Sequence, residues 1–170
     1  FNRTHQLAAL IDAAHRLEED GRLPHEVLES LELGTSMGGA RPKVTVEDEQ
    51  RIWLAKLPER GDRHNVQRIE YATLELARAA GLRVCEARLE RVGFRDGMCD
   101  VLMLGRFDRE WNPQAKTYVR HGLVSGLTVL DAEDGYLGRE RWSYPLLADE
   151  LRRWLLAAPV AVQPWDQKGF

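Results

Sequence analysis

The sequence predicts an α+β protein with a mainly antiparallel sheet, and three observations lead to that prediction. Apolar residues with helical spacing occur at the start of the chain, in its middle and near its end. Short runs rich in β-forming residues lie between these segments, and charged or glycine-containing turns separate the runs. An order of helices, strands, one helix, strands and a final helix is typical of an α+β fold.

Composition narrows the class of protein. The 170 residues amount to about one domain, and 44% of them are hydrophobic, which is enough for a sizeable core. With 24 basic and 27 acidic residues the net charge is −3, so we expect neither direct nucleic-acid binding nor a basic membrane anchor. Cys85 and Cys99 lack zinc-like spacing, so we expect reduced thiols in a cytoplasmic protein and no metal site in this chain.

Helices and strands are expected in a definite order. Four helices are expected. The first is capped by Thr4, and a short second helix begins at Pro24. The third runs from its cap Asn65 to about Ala80 and is ended by Gly81, and the fourth begins at about Ser143. Extended segments are expected at residues 43–46, 51–57, 83–92, 98–107 and 117–123. A hairpin loop at 93–97 and a polar region at 108–116, with a turn at Asn112-Pro113, complete the prediction.

Two features near the first strands carry chemical information. Gly34 to Ala40 is a loop of small residues with three glycines. Such a loop can approach a phosphate and direct backbone N–H groups at it, although an isolated loop of this kind is more often an ordinary turn. Lys56 shares a strand face with Ile52 and Leu54, opposite Trp53. It therefore lies either at a wet sheet edge or against an anion.

Glu70 is the third chemical feature. In the helix after Asn65 it is surrounded by a small, largely apolar strip of Val66, Thr73 and Ala77. A carboxylate there either pairs with a cation, because burying it unpaired is costly, or lies solvated at the border of the buried face. A glycine-rich strand-turn-strand unit, a strand lysine and a helix glutamate, in this order, describe how protein kinases hold a nucleotide triphosphate.

Four motifs resemble HipA-like serine/threonine kinase toxins, a bacterial family, over roughly residues 30 to 155. They are Thr35-Ser-Met-Gly-Gly-Ala-Arg-Pro-Lys43, Trp53-Leu-Ala-Lys-Leu-Pro58, the helix from Ile69-Glu-Tyr to Gly81-Leu82, and Arg106-Phe-Asp-Arg109. The resemblance implies a protein-kinase-like N-lobe with an antiparallel sheet and one packed helix, flanked by helices, plus the start of an α-helical C-lobe.

The resemblance also implies an ATP-binding set. Gly38, Gly39 and Ala40 would cover the phosphates through their backbone, and Lys43 follows them after two intervening residues. Lys56 would hold the phosphates, and Glu70 would orient Lys56. Ser36 aligns with a loop serine that is autophosphorylated in some members, and a phosphate there could expel the loop.

At the segment that joins the lobes, Phe107 would border the adenine pocket. Arg106, Asp108 and Arg109 are expected to form an ion-pair network that braces the lobes rather than to act in catalysis. Gly105 departs from the family pattern, in which an acidic residue often precedes this motif. That change weakens any hinge contact made through the side chain.

A second departure concerns catalysis. The resemblance places a catalytic loop, and then a metal-binding aspartate, after the helix around Leu151–Leu155. The chain instead reads Leu156 to Phe170, where Asp166 is the only carboxylate. We therefore expect no catalytic residue in this chain, with the Mg²⁺ ligands in a missing part, and a fragment that is inactive alone.

These expectations divide the chain and define its function. The divisions are N-terminal helices at 1–33, a nucleotide-binding N-lobe at 34–124, the start of a C-lobe at 125–158 and an atypical tail at 159–170. The resemblance implies an ATP- and Mg-dependent serine/threonine protein kinase, the toxin of a type II toxin–antitoxin system. Its partners would be a protein substrate and a HipB-like helix-turn-helix antitoxin.

Two other interpretations remain open. The chain could be a catalytically inactive kinase lobe that binds a nucleotide or a protein. A generic α+β interaction domain is the third interpretation, and it requires the motif matches to be accidental. In the kinase interpretations a lobe without its partner lobe exposes apolar surface, so we also expect self-association.

Overall fold

The computed structural model describes residues 2–20, 41–49, 51–95, 97–133 and 142–157. The helices in these ranges are α1 (Leu7–Asp20), α2 (Val66–Ala79), α3 (Gly126–Val129) and α4 (Tyr144–Ala157), and a 3₁₀ turn at Thr4–Gln6 precedes α1. The strands are β1 (Asn2–Arg3), β2 (Lys43–Asp48), β3 (Arg51–Lys56), β4 (Ala87–Phe94), β5 (Gly97–Gly105), β6 (Arg109–Asn112) and β7 (Thr117–Arg120).

The described chain divides into two units, Phe1–Arg120 and His121–Phe170. The first unit holds a five-stranded sheet in the order β1-β2-β3-β5-β4 and a two-stranded sheet of β6 and β7. β1 runs parallel to β2, and every other pair is antiparallel. The predicted α+β class is confirmed, and the structure is compatible with the kinase-like lobe that the resemblance implies.

The core lies between α1 and one face of the large sheet. Because successive strand residues point to opposite faces, every second residue of β2, β3 and β5 contributes to it. The members from the sheet are Val44, Val46, Trp53, Ala55, Val101 and Met103, with Leu57 directly after β3, and those from α1 are Leu7, Leu10, Ile11, Ala13 and Ala14. The alternation predicted for β3 is therefore confirmed, and Lys56 lies on the face opposite the core.

Local sequence signals determine both ends of α2. The Asn65 side chain accepts a hydrogen bond from Arg68 N at 2.9 Å, as expected for an N-cap. Gly81 has φ +85°, a left-handed conformation that favours glycine. It donates to Arg78 O, and Leu82 donates to Ala77 O, both at 3.0 Å, so the helix ends in a Schellman motif.

Side-chain contacts hold α2 against the sheet. Gln67 is buried, and its Nε2 donates to Leu57 O, just after β3, at 2.9 Å. Asp100 in β5 accepts from Asn65 Nδ2 at 2.6 Å and from Arg68 Nε at 2.5 Å. The first turns of the helix are thus attached to both β3 and β5.

Some local predictions are wrong. Thr4 is not the N-cap of α1, because it lies in the 3₁₀ turn, where Arg3 N donates to Gln6 Oε1 at 2.6 Å. β4 begins at Ala87 rather than near residue 83, and Phe94 pairs with Gly97 inside the predicted loop 93–97. Cross-strand pairing carries β4 two residues past its predicted end at 92 and starts β5 one residue before its predicted start at 98.

The polar region 108–116 contains β6, which was not predicted. Trp111 of β6 and Tyr118 of β7 pack edge to face with ring centroids 5.0 Å apart, and this contact joins the two strands. The turn predicted at Asn112-Pro113 is present, since Asn112 Oδ1 accepts from the backbone N of Gln114 and of Ala115 at 3.0 Å.

The second unit contains α3 and α4. Ser125 Oγ accepts from Thr128 N at 3.0 Å and caps α3, a helix that was not predicted. A Cβ at Gly126 would lie 3.1 Å from Leu147 Cδ2, so the two helices approach closely at this glycine. The helix predicted from about Ser143 is confirmed as α4.

Several predicted segments lie outside the described residues. They are the short helix from Pro24, the loop Gly34 to Ala40 with Ser36, and the tail at 159–170. Among the helices in the described ranges, none combines the length and the apolar character needed to cross a membrane.

The packing of α1 gives a stability prediction. Replacing the fully buried Ile11 by Ala should lower the free energy of unfolding by about 2–5 kcal/mol, because it removes apolar contacts and leaves a cavity. Urea unfolding followed by circular dichroism measures the change. The matched control is Ile69→Ala, a residue 57% exposed on α2, which should change stability by about 0.5 kcal/mol or less. Equal losses in the two variants would contradict the described packing of α1.

Candidate functional site

The candidate site is built around an ion pair between β3 and α2. Lys56 ends β3, and its Nζ lies 2.5 Å from Glu70 Oε1 in α2. Their side chains are 28% and 34% exposed, so the pair lies at the border of the fold rather than in its core. The hydrogen bond from Gln67 to Leu57 O connects the same two elements and holds Glu70 near Lys56.

Lys43 lies beside this pair. It is the first residue of β2 and pairs in register with Lys56, so both lysines belong to the same sheet face. Lys43 Nζ donates to Arg41 O at 2.8 Å. The side chains of Lys43 and Lys56 thus begin from neighbouring positions on one face of the sheet.

The segment after the small-residue loop is attached by Arg41. Its Nη2 donates to Asp62 Oδ2 at 2.5 Å, and Asp62 also accepts from Glu59 N at 3.1 Å. The hydrogen bond from Arg41 lowers the pKa of Asp62 against the opposing effect of burial, and the same contact raises the pKa of Arg41. The chain directly after Ala40 is therefore tied to the link between β3 and α2.

Asp100 supplies a second buried anchor. Burial acts to raise its pKa, but the hydrogen bonds from Arg68 and Asn65 outweigh that effect and leave the pKa below its ordinary value. The carboxylate is therefore ionised at neutral pH while it is almost fully buried. It connects the N-terminus of α2 to β5 and so supports the position of Glu70.

The predicted Arg-Asp-Arg network is present after β5. Arg106 Nε and Nη2 contact the two carboxylate oxygens of Asp108 at 2.8 and 2.5 Å, which is a bidentate pair. Arg109 Nη1 donates to the same carboxylate and to Asp108 O at 2.8 Å. Arg106 also reaches Thr45 Oγ1 at 3.3 Å, so the network connects this segment to β2.

These contacts explain why the pKa of Asp108 is lowered. The hydrogen bond from Arg106 lowers the pKa of Asp108 against the opposing effect of burial, and the charges of both arginines add to it. Burial and the neighbouring Arg106 lower the pKa of Arg109. Phe107 lies between these buried residues in sequence, and it is 54% exposed.

Gly105 is positioned by neighbouring strands. Its N–H donates to Glu86 O at 2.8 Å, and the next amide, Arg106 N, donates to Ile52 O at 3.0 Å. A Cβ at residue 105 would lie 3.4 Å from the Cβ of Glu86, whose carboxylate pairs with Arg51.

The structure brings some predicted residues together and leaves others apart. Lys43, Lys56 and Glu70 lie together, and Arg106, Asp108 and Arg109 form a separate network with Phe107 beside it. The predicted loop residues Ser36, Gly38, Gly39 and Ala40 lie outside the described residues. Within the described ranges, no group of three or more His, Cys, Asp or Glu could hold a metal ion.

Sequence reasoning missed the residues that position the site. Arg41, Asp62, Gln67, Arg68 and Asp100 were not singled out. A signal was available for Asp100, because a carboxylate next to the apolar run Val-Leu-Met-Leu of β5 requires a partner. No comparable local pattern marked Arg41 and Asp62, which are paired only by the fold.

A strand lysine paired to a carboxylate on the adjacent helix, beside a largely antiparallel sheet, is compatible with a kinase-like lobe. Residues 35–163 match the model of the HipA-like C-terminal domain, and the chain belongs to this family. No curated protein and no solved structure matches the chain significantly.

The Asp108 network generates a pH-dependent prediction. Asp108→Asn should lower the free energy of unfolding by about 3 kcal/mol at pH 7, because two arginines lose a buried carboxylate. The folded-state pKa of Asp108 is lowered, so its contribution is present above its unfolded pKa of about 3.9 and is lost as the pH falls through the folded value.

Urea unfolding of both proteins at pH 7 and at several values below pH 4 tests this prediction. The stability difference between them should shrink as the solution becomes more acidic. The control is Asp131→Asn, an exposed carboxylate in a turn with φ 48°, which should show no such pH-dependent difference. A constant difference for Asp108→Asn at every pH would contradict the assigned ionisation.

Proposed function

We propose that this chain contributes the nucleotide-binding lobe of an ATP-dependent serine/threonine protein kinase of the HipA-like family. The single observation that carries the proposal is the contact between Lys56 and Glu70, which join a strand to a helix at 2.5 Å. Family membership and the position of Lys43 across from Lys56 support the same conclusion.

The residues fit a triphosphate. Lys56 and Lys43 supply two positive charges on one sheet face, and Glu70 holds the Lys56 ammonium group in place. The glycine-containing segment directly before Arg41 would cover the phosphates through its backbone, with Gly38, Gly39 and Ala40 as the residues proposed for that role. ATP, once bound with Mg²⁺, would supply the transferable phosphoryl group.

The network at residues 106–109 would shape the adenine side of the site. Arg106 and Arg109 are held by Asp108, and the exposed ring of Phe107 is thereby presented next to the backbone at Gly105. An aromatic ring at that place gives an apolar surface for a purine base. Arg106, Asp108 and Arg109 act as positioning residues in this proposal.

The finer parts of the proposal rest on the family alone. We propose that the complete protein is a toxin that phosphorylates a protein hydroxyl and is restrained by a small helix-turn-helix antitoxin. Mg²⁺ ligands and the catalytic base are assigned to no described residue. A lobe that binds ATP without transferring phosphate is the alternative, and a phosphorylation assay on the same preparation distinguishes the two.

Isothermal titration of Mg-ATP into the chain tests the nucleotide site. Lys56→Met should weaken binding by about tenfold to a hundredfold, because it removes a charge-assisted contact to phosphate. The matched control is Lys116→Met, an exposed lysine in the turn between β6 and β7, which should leave the affinity unchanged.

Two results would count against the proposal. Wild-type chain that fails to bind Mg-ATP would remove the nucleotide site itself. Equal affinities for wild type and Lys56→Met would show that Lys56 does not contact the phosphates.

A further inference from the structure

The side of α2 that faces away from the sheet carries an exposed, largely apolar stripe. Ile69 and Leu76, about two turns apart, are 57% and 71% exposed. Ala72 and Thr73 lie between them and are exposed as well. At about 100° per residue these four side chains share one side of the helix, opposite the buried Gln67. The outward side of a surface helix is normally polar, so this stripe is suited to a contact with another molecule.

This stripe can be buried with little loss of hydrogen bonding. The Thr73 hydroxyl donates to Ile69 O at 2.8 Å, so it is satisfied within the helix itself. Ala72 carries no polar side-chain atom. Two small residues at the centre allow the backbone of a second helix to approach closely, and Ile69 and Leu76 supply apolar contacts one turn to either side. The stripe therefore fits another helix with a similar pattern.

The charges beside the stripe identify that helix. Arg68 and Glu75 lie along the same edge of the stripe, about two turns apart. Asp100 holds Arg68 through Nε, but the arginine side chain remains 55% exposed. Glu75 pairs with Arg78 one turn further on, and both of these side chains are 42% exposed. Such exposed pairs contribute little to stability, so Glu75 can exchange Arg78 for another cation. The edge thus presents a cation in one half of the helix and an anion in the other.

We propose that α2 binds α2 of a second copy of this chain, with the two helices antiparallel and a two-fold axis between Ala72 and Thr73. In this arrangement Ile69 of each copy packs on Leu76 of the other copy. The small residues lie at the centre, where the two backbones approach most closely. A two-fold dimer requires one surface that is complementary to itself, and the order large, small, small, large along the stripe meets that requirement.

The charged edge distinguishes the two possible orientations of the helices. In the antiparallel pair this edge meets the same edge of the other copy, so Arg68 of each copy lies opposite Glu75 of the other. A parallel pair would bring the charged edge against the opposite edge, which carries Val66 and Ala77. Both charges would then face apolar side chains, so charge complementarity favours the antiparallel pair.

Sedimentation equilibrium of the full chain tests the dimer. A single pair of helices buries less surface than a standard interface, so we expect a dissociation constant on the order of 100 µM. Leu76→Glu should raise it by at least about tenfold, because each dimer would bury the new carboxylate twice. The matched control is Leu155→Glu on α4, where the leucine is 61% exposed, and it should have no effect. A wild-type chain that stays monomeric at about 1 mM, or equal losses in the two variants, would overturn the proposal.

Cysteine cross-linking tests the position of the two-fold axis. Ala72 lies next to the axis, so Ala72→Cys should form a disulfide between two copies when copper phenanthroline and air oxidise the thiols. Ala79 is also exposed, but it lies about 10 Å from the axis along the helix. The two copies of Ala79→Cys are then too far apart, because a disulfide needs Cα atoms within about 7 Å. The wild-type chain, with Cys85 and Cys99, gives the background. Cross-linking of Ala79→Cys that equals or exceeds that of Ala72→Cys would contradict the antiparallel pair.

Discussion

The candidate site depends on the attachment of the N-terminal half of α2 to the sheet. Two buried polar contacts provide it: the amide of Gln67 bonded to Leu57 O, and Asp100 bonded to Asn65 and Arg68. Neither contact involves Lys56 or Glu70, yet together they determine where Glu70 lies relative to β3. Buried hydrogen bonds are directional and expensive to leave unsatisfied, so they position a helix more narrowly than apolar packing does.

The Asp108 network has a similar role at the other end of the sheet. The carboxylate of Asp108 and the guanidinium groups of Arg106 and Arg109 compensate one another, because none of these charges could remain buried without a partner. The bond from Arg106 to Thr45 extends the network to β2. Because those side chains turn inward, the residue between them turns outward, and Phe107 is exposed. The position of a ring proposed to contact adenine thus follows from the charges on either side of it.

Features of the fold and of the candidate site could be predicted from the sequence where the interacting residues lie close together along the chain, and not where they lie far apart. The phase of Lys56 along β3 and both ends of α2 follow from local patterns, namely strand alternation, an asparagine cap and a left-handed glycine. Arg41 and Asp62 are 21 residues apart and Arg68 and Asp100 are 32 apart, so no local pattern pairs them. β6 was missed because a short polar strand becomes recognisable only through its pairing with β7.

The exposure of Lys56 and Glu70 bears on what the pair is for. Ion pairs that retain this much contact with water contribute only about 0–1 kcal/mol to stability. The anchors at Gln67 and Asp100 already hold α2 in place, so the fold does not require this pair for its stability. An accessible ammonium group with a fixed carboxylate beside it can instead contact an incoming anion without first being withdrawn from a buried partner. The exposure of this pair is therefore compatible with the ligand contact proposed for Lys56.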